Sequence, residues 1–519
     1  MIWRRFPQQS LPLNGRHFLE LTLLTPGVHT SHGAAMGNMN PLYWRPGQNS
    51  AISVGGGRAD QNVYLLDGTI NTDPAFNTYV ISLSPDVVRE FQTQSGSYSA
   101  EFGSQGTGVI NVVTKTGTDS LHGSLYEYLR NSALDARDFT SPSQLPHFSL
   151  NQFGGTLGGP IQKDKTFFFG HYEGFRSVQG QSMIESVPMM ALRDGDFTGM
   201  APIYDPATMH PNPAYDPSKP AGPNNPKQIR DQFPNNIIPT NRINPITQRV
   251  LKEFVPMPTG DQPMAGMASM GMAGGDFNNL QDNREQRLNN DQYTLRIDRN
   301  MGNQNIYGRY SLSNEAGFTP ENLPGFGSYH DNRVQNLTLT HNLVLSPSSV
   351  NSFRFGWQRM NLHRIGEKGT EGKDLIKELG IPGVGYGGPE AYGLPQFVVQ
   401  GYDPFGDQLL ATPADYRDTV YQFGDTLAKT TRSHSLKFGA EVRRFRWNML
   451  GFFQNRGFFS FSPGFTTRTL TNDGTGMRWP ASCSVCPWSQ RARRAIPACT
   501  CVIRSSVPTS RMTGEFEGT

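Results

Sequence analysis

The 519-residue chain lacks long apolar runs, a strong excess of one charge and any spread of cysteines along its length. No run approaches the roughly 20 apolar residues that a membrane-spanning helix requires. The net charge is only +3 and charged residues make up 17%, so nothing indicates nucleic acid as a partner. These absences exclude helical membrane proteins and argue against nucleic-acid binding.

The cysteines are confined to the carboxyl end, at Cys483, Cys486, Cys499 and Cys501. No carboxylate occurs between Asp473 and Glu515, where arginine is abundant. The stretch could supply four thiolates to a metal, form disulfides in a periplasmic tail, or be translated from a shifted reading frame. Because it has no apolar periodicity that would support a zinc fold, we favour the shifted frame. We expect residues 471–519 to be a disordered, out-of-frame tail.

Glycine and aromatic residues are plentiful, with 56 glycines and 11% aromatics, and this composition favours strands and loops over helices. The most informative segment runs from residue 62 to residue 115. Its features in chain order are an apolar strand entering Asp67-Gly68, a turn at Ser84-Pro85-Asp86, a strand containing Glu90, the pair Phe102-Gly103, and the strand Gly108 to Lys115. Glycine at such points permits backbone turns that other residues disfavour.

This series resembles the plug domain of TonB-dependent outer-membrane transporters, where a DG turn, a glutamate-bearing strand, an aromatic–Gly pair and GVINxxTK occur in this order. The matching residues are Asp67, Gly68, Glu90, Gly103, Gly108, Asn111 and Lys115. We interpret them as structural residues that build the plug sheet. The strings LPLNGR at 11–16, VGGGR at 54–58 and FPNNIIP at 233–239 resemble the Oar-like members of that family.

Beyond Lys115 apolar residues recur at every second position, the pattern of a strand with one apolar face. Tyr293, Leu295 and Ile297, for example, alternate with polar neighbours. We predict strands at 121–130, 148–161, 165–176, 291–299, 305–313, 334–345, 350–361, 418–430 and 435–447. A soluble sandwich would show the same alternation, so periodicity alone does not distinguish it from a membrane barrel.

The connections between these strands alternate between short and long. Short turns lie at 162–164, 301–304, 346–349 and 431–434, and long links at 131–147, 177–290, 314–333 and 362–417. Bacterial barrels have short periplasmic turns and longer outward loops, whereas loops beyond about 15 residues are uncommon in compact domains. The alternation therefore favours a barrel. Its lumen should receive the charges on the polar faces, namely Arg296, Arg309, Arg354, Lys437 and Glu441.

Two short helices are also expected. An amphipathic segment after Arg16 should end near Pro26-Gly27, and Asn244 should cap a helix running from Pro245 to about Phe254. The methionines Met264, Met267, Met270 and Met272 could hold Cu(I), but we favour a low-complexity loop in which they are incidental.

The predicted fold is mostly β, with an N-terminal α+β plug domain at 10–116 followed by an incomplete antiparallel transmembrane β-barrel at 117–470. Residues 1–9 should be the disordered start of a fragment, because they contain no apolar core of signal-peptide length. The resemblance implies a barrel of roughly 22 strands. We therefore expect the chain to be the front part of a longer transporter that cannot transport alone.

The resemblance implies a TonB-dependent outer-membrane receptor or transporter that binds its ligand at outward loops and plug for energised uptake. The expected partners are outer-membrane lipid, the TonB complex in the full-length protein, and an unidentified ligand. Alternatives are an outer-membrane secretion or surface-assembly protein, and a secreted β-rich carbohydrate-binding or adhesion protein. The sequence contains no GxSxG, HExxH or GK[ST] setting, so we expect neither enzyme activity nor a cofactor or metal site.

Overall fold

The computed structural model describes residues 2–4, 16, 18–30, 52–58, 61–74, 77–95, 98–99, 101–102, 107–136, 145–222, 224–259, 278–321, 323–385, 388–407, 410–453, 456–469 and 512–518. Strands form most of the regular structure, in one small mixed sheet and one large antiparallel sheet. Within these ranges no helix is both long enough and apolar enough to cross a bilayer.

The small sheet, which we call the plug, has five strands in the order β1-β6-β7-β4-β5. Its strands are β1 (Ile2–Arg4), β4 (Asn62–Leu66), β5 (Thr69–Ile70), β6 (Val88–Ser95) and β7 (Gly108–Thr114), with the pair β2 (Val28–Thr30) and β3 (Ile52–Val54) beside them. A 3₁₀ helix at Phe18–Leu24 occupies the segment where a helix was predicted. Strand β1 pairs with β6, so the disorder expected for residues 1–9 does not extend to Ile2–Arg4.

The plug shares its apolar core with the large sheet. Tyr64, Phe91 and Ile110 of the plug are buried in one cluster with Val334 and Met360 of the large sheet. On the side of the plug that faces the wall, the apolar residues of the plug are covered by wall residues. The core therefore seats the plug against the inner surface of the large sheet.

The large sheet, which we call the wall, has ten strands in the order β21-β19-β18-β16-β15-β14-β13-β10-β9-β8. Its strands are β8 (His122–Asn131), β9 (Phe148–Gln162), β10 (Thr166–Glu185), β13 (Leu280–Met301), β14 (Gln304–Thr319), β15 (Ser328–Ser346), β16 (Ser349–Gly366), β18 (Leu410–Thr431), β19 (His434–Phe453) and β21 (Met512–Gly518). All nine predicted wall strands are present. Strand β21 pairs with β19, so the disorder expected for residues 471–519 does not extend to Met512–Gly518.

Several wall strands are longer than the sequence pattern predicted, and the extra residues lie on the side of the long links. Strand β10 continues to Glu185 and β13 already begins at Leu280. The predicted long link at 314–333 is consequently reduced to 320–327, because β14 and β15 occupy the rest.

Alternate residues of the wall face opposite sides. On β13, Tyr293, Leu295 and Ile297 are exposed, whereas Arg296 and Asp298 are buried toward the plug. The register aligns Leu295 with four apolar or aromatic residues on the following strands, Tyr310, Leu337, Trp357 and Tyr421. An apolar band therefore faces away from the plug. This arrangement rules out a soluble two-layer sandwich, in which the apolar rows would pack against each other.

The described strands do not close into a barrel, since β8 and β21 stand at the two ends of the sheet. An open strand edge leaves backbone donors and acceptors without partners, which is costly in hydrocarbon. The wall is thus an incomplete antiparallel barrel, as the sequence predicted.

The long links pack together on one side of the wall into a compact unit, which we call the cap. It contains α1 (Met190–Arg193), α2 (Pro245–Phe254), α3 (Leu375–Leu379) and the strands β11 (His210–Pro211), β12 (Gln228–Ile229), β17 (Gln396–Val399) and β20 (Phe458–Phe461). Asn244 accepts a hydrogen bond from the amide of Ile246 at 2.8 Å, which confirms the predicted cap of α2.

The cap has an apolar core of its own. Buried residues from three different links meet there, including Phe197, Leu251, Phe326, Leu375 and Leu394. Arg193 is buried as well and donates to the backbone carbonyls of Leu251 and Val255 at 3.0 and 2.8 Å. The sequence pattern did not indicate this core, because its residues come from short elements in links that are far apart in the chain.

Candidate functional site: the contact between plug and wall

The Asp67-Gly68 turn joins β4 to β5 and meets the wall. Both residues have positive φ, 51° for Asp67 and 75° for Gly68. Two-residue hairpin turns of this kind favour Asp-Gly, because both central positions need a left-handed backbone. The Gly68 amide donates to Asn111 Oδ1 at 3.2 Å. Three of the predicted plug residues are therefore brought together by this turn.

The Asp67 carboxylate is buried and binds both the plug and the wall. Within the plug it accepts hydrogen bonds from the Thr114 amide at 2.8 Å and the Thr114 hydroxyl at 2.9 Å. From the wall, Arg309 Nε donates to it at 2.7 Å and Arg296 Nη1 lies 3.5 Å away. One plug side chain thus joins two wall strands, β13 and β14.

Arg309 is completely enclosed, with an exposed fraction of 0%. Besides Asp67, its guanidinium donates to Asn336 Oδ1 and to the Thr338 hydroxyl, each at 2.6 Å, and to the Ser311 hydroxyl at 3.1 Å. A buried guanidinium is tolerated only when its charge is paired and its donors are bound. Three wall side chains therefore bind the Arg309 guanidinium in addition to the plug carboxylate.

Arg296 lies between two carboxylates. It donates to Asp298 at 2.8 Å through Nη2, and its guanidinium stacks 4.1 Å from the centre of the Tyr307 ring. Asp298 in turn accepts a hydrogen bond from the plug residue Thr116 at 2.7 Å. Two arginines and two aspartates form the centre of the contact, so its formal charges cancel.

The backbone that follows Gly68 is bound by side chains of the wall. Gln422 Oε1 accepts from the Ile70 amide at 2.7 Å, and Asn336 Nδ2 donates to the Ile70 carbonyl at 3.2 Å. Gln358 Nε2 donates to the Thr72 carbonyl at 3.0 Å. The backbone groups on the free edge of β5 thus form hydrogen bonds with wall side chains instead of with another strand.

The five charges predicted to face the lumen all lie on the plug side of the wall. Arg296 and Arg309 contact Asp67, and Arg354 Nη1 donates to the Gly68 carbonyl at 3.1 Å. Lys437 pairs with Glu101 of the plug, and Glu441 accepts a hydrogen bond from Gln422 at 2.8 Å. The alternation in the sequence therefore assigned the inner face correctly.

A second polar contact lies at the beginning of the wall. The Tyr126 hydroxyl donates to Glu173 at 2.8 Å and lies 3.2 Å from His171 Nε2 and 3.4 Å from the Ser84 hydroxyl of the plug. Close by in the plug, burial lowers the pKa of Lys115, and the charge of Asp86 acts in the opposite direction.

The other predicted plug residues lie away from the Asp67 contact. Glu90 is on β6 opposite Arg4. Gly108 begins β7, where a Cβ would lie 2.8 Å from Val54 and 2.9 Å from Asn62 Oδ1, so a side chain has no room. Gly103 lies outside the described residues. The structural role assigned to this set stays a prediction.

Sequence reasoning missed the neutral partners on the wall, chiefly Asn336, Thr338, Gln358 and Gln422. They occupy inner-face positions, but nothing in the alternation tells which inner-face residues reach the plug. The cysteines of the tail and the four methionines of 264–272 lie outside the described residues. Among the residues that are described, no three His, Cys, Asp or Glu side chains gather as a metal site would require.

The geometry is that of a small mixed sheet seated inside an antiparallel wall whose apolar band faces away from it. Residues 113–481 match the family model described as outer membrane beta barrel domain. The chain belongs to this outer-membrane beta-barrel family. Membership places the protein in the outer membrane.

Relatives of this outer-membrane protein agree with the assignment. The TonB-dependent transporter Oar of Myxococcus xanthus is 35% identical over 133 residues, which are 24% of this chain and 12% of that protein. The predicted resemblance to Oar-like TonB-dependent transporters is thereby confirmed.

Among solved structures, the outer membrane transporter YddB of Escherichia coli superposes with a TM-score of 0.50 at 10% identity and covers 89% of this chain and 49% of its own. A ferric enterobactin receptor of Pseudomonas aeruginosa gives a TM-score of 0.39 at 12% identity, with 83% and 51% covered, too low to support a conclusion. The chain spans about half the length of these transporters, and its match covers a smaller share of Oar.

Proposed function

We propose that the protein acts in TonB-dependent transport across the outer membrane. Its plug closes the lumen of a barrel, the cap and the outward side of the plug bind the ligand, and the TonB complex supplies the energy that moves the plug. In this proposal the protein is a transporter and not an enzyme. The observation that supports this function best is the buried Asp67 carboxylate, which joins the plug to Arg309 of the wall.

Water can compete for the contact, because most of the interactions that hold the plug near Asp67 are hydrogen bonds and ion pairs. When water enters, it can replace each protein partner, so a hydrogen bond to a charged group contributes about 1.5–3 kcal/mol net. The apolar part of the contact involves Phe169, Val334 and Met360 of the wall in one cluster and Val420 in a second. A plug held in this way stays seated at rest and yields to a pulling force.

The test is the accessibility of a buried plug residue in living cells. Thr69 is 1% exposed and contacts the wall, so a cysteine introduced by Thr69→Cys is protected while the plug is seated. The substitution is made in the chromosomal gene, and the cells are treated with a water-soluble maleimide. Labelling of the unsubstituted protein is subtracted, because it measures the reaction of the four cysteines already present.

We expect maleimide labelling of the Thr69→Cys protein to be several-fold higher in cells with TonB than in cells without it, and to fall when an uncoupler removes the proton gradient. A Ser348→Cys variant in the exposed β15–β16 turn is the control, since it should be labelled equally in both strains. Equal labelling of the Thr69→Cys protein with and without TonB would overturn the proposal.

A further inference from the structure

Three arginines lie close together on the outer face of the wall, just beyond the apolar band. They are Arg333 on β15, Arg359 on β16 and Arg417 on β18, and all three are exposed. Asn361 pairs with Arg333 on one side and with Arg417 on the other. Arg359 is two residues along β16 from Asn361 and is therefore the diagonal neighbour of both arginines, at about 7–8 Å. We call this group the arginine cluster.

The arginine cluster lines a shallow groove of about 490 Å³ across five strands. Other residues of the groove include Asp291, Asp331 and His363. Its position is fixed by the strand register, because every one of these residues belongs to the outward-facing set of its strand. The side chains of the arginine cluster thus face the surroundings of the barrel.

The charges in the groove are only partly neutralised. Arg417 pairs with Asp415 at 2.6 Å, and Asp291 pairs with Arg176 at 2.7 Å. Arg333 and Arg359 have no carboxylate within ion-pair distance among the residues that the structure describes, and Arg359 contacts only the neutral Asn361, at 3.4 Å. Two guanidinium groups are therefore available to an anion from outside, beside one exposed carboxylate, Asp331, that has no ion pair among the described residues.

The side of the arginine cluster that faces the short turns is apolar and aromatic. Leu337, Trp357 and Tyr421 lie in one cross-strand row, on the same three strands as the arginines. Trp357 is two residues from Arg359, and the row continues into the exposed band of Leu339 and Phe423. Aromatic residues at the border of an apolar band are typical of a membrane–water interface.

We propose that the groove binds the phosphorylated headgroup of an outer-leaflet lipid. Arg333 and Arg359 would bind phosphate oxygens through their paired N–H groups, a geometry that guanidinium offers and ammonium does not. The acyl chains would lie on Leu337, Trp357 and Tyr421. A lipid joins an anionic headgroup to acyl chains and can therefore contact both the arginines and the aromatic row, which favours it over a free anion. The proposal concerns the seating of the wall in the membrane and is independent of transport.

The probe is a diphosphorylated glycolipid of the lipid A type, compared with the same lipid after enzymatic removal of its phosphates. Binding to the protein extracted from outer membranes is measured by native mass spectrometry in a mild detergent. The double variant Arg333→Gln/Arg359→Gln is compared with Arg299→Gln/Lys429→Gln, which removes two cations from the outer face at the short-turn ends of β13 and β18, away from the groove.

We expect the wild-type protein to bind the phosphorylated lipid at least tenfold more tightly than the dephosphorylated lipid. The groove variant should lose most of this preference, and the control variant should keep it. Equal binding of the two lipids by the wild-type protein would overturn the proposal without reference to any variant. Unchanged binding by the groove variant, or displacement of the lipid by millimolar inorganic phosphate, would also overturn it.

Discussion

Arg309 donates to Asp67 across 2.7 Å, although 242 residues separate the two in the chain. The arginine belongs to the wall and the aspartate to the plug, and both are buried. Breaking a buried pair by removing one charge leaves the other uncompensated, which typically costs about 3–5 kcal/mol. The pair is therefore the place where the seating of the plug is most sensitive to a single substitution.

We predict that Asp67→Asn lowers the stability of the seated plug by about 3–5 kcal/mol, because Arg309 keeps its charge and loses its carboxylate. The urea concentration at which the plug becomes susceptible to protease measures the effect. Glu285→Gln is the control, since it removes an exposed carboxylate that pairs with Arg287 at 2.8 Å and should cost less than about 1 kcal/mol. The prediction would be contradicted if the plug became susceptible to protease at the same urea concentration in both variants.

A disulfide between plug and wall should block the proposed movement. The hydroxyl oxygens of Thr69 and Thr338 are 2.7 Å apart, so Thr69→Cys/Thr338→Cys places two thiols within reach of a bond of about 2.05 Å. We expect the oxidised variant to reproduce the phenotype of a gene deletion and a reductant to restore function.

The matched control for this disulfide is Thr294→Cys/Ser311→Cys. These two hydroxyls are 2.9 Å apart on neighbouring wall strands, so the bond would not involve the plug. It should form equally well and leave function intact. Loss of function in both oxidised variants would show that the disulfide acts on the wall and not on plug movement.

Gly68→Ala should disturb the contact through a specific neighbour. A Cβ at this position would lie 2.6 Å from Arg354 Nη1, at a residue whose φ is already +75°. Gly302→Ala isolates the backbone contribution, because Gly302 has a φ of +60° and nothing within 4 Å of its Cβ position.

We expect both glycine variants to lose about 1–2 kcal/mol to backbone strain. Gly68→Ala should lose about 1 kcal/mol more, because Arg354 must give up its hydrogen bond to the Gly68 carbonyl. Thermal unfolding of the purified proteins measures the difference. Identical losses would mean that Arg354 moves aside without cost.

The stability of the cap should depend on pH through Glu321. Burial raises the pKa of this carboxyl to about 7, although the charge of Arg364 opposes the rise. Between about pH 4.5 and pH 7 the folded state holds a proton that the unfolded state has released, so stability falls as the pH rises through this window. The loss should reach roughly 3 kcal/mol, since each pKa unit corresponds to about 1.4 kcal/mol.

Glu321→Gln should remove most of this pH dependence, because glutamine is neutral throughout. The pH dependence is measured as the difference between the urea unfolding midpoints at pH 5 and pH 8, for the wild-type protein and for the variant. Glu371→Gln is the control within the cap, since its carboxylate is partly exposed and pairs with Lys368. A wild-type midpoint that rises with pH would contradict the prediction.

The sequence predicted the wall well because a strand between lipid and a polar plug must alternate. Leu295 and Arg296 differ in hydrophobicity because they face opposite sides, and that difference can be read without a structure. The outward ends of the strands were missed, since both faces there are polar. Ser177 to Glu185 of β10 shows no alternation and was read as part of a link.

The partners at the plug contact could not be predicted in the same way. The DG turn is a local feature, and its geometry follows from two residues. The pairing of Asp67 with Arg309 depends on how the plug is rotated inside the wall, which no local pattern encodes. Arg354 and Gln422 have the same kind of inner-face position, yet they contact the backbone of β5 instead of the carboxylate.

The shared core of the cap has a consequence for how its surface can change. Since Phe197, Phe326 and Leu394 come from different links and are buried together, a deletion that removes any one of them opens a cavity beneath the other links. Sequence variation should then be restricted at the buried positions of the cap and tolerated at its exposed side chains. The exterior of this protein should diversify in its chemistry while the path of its backbone stays the same.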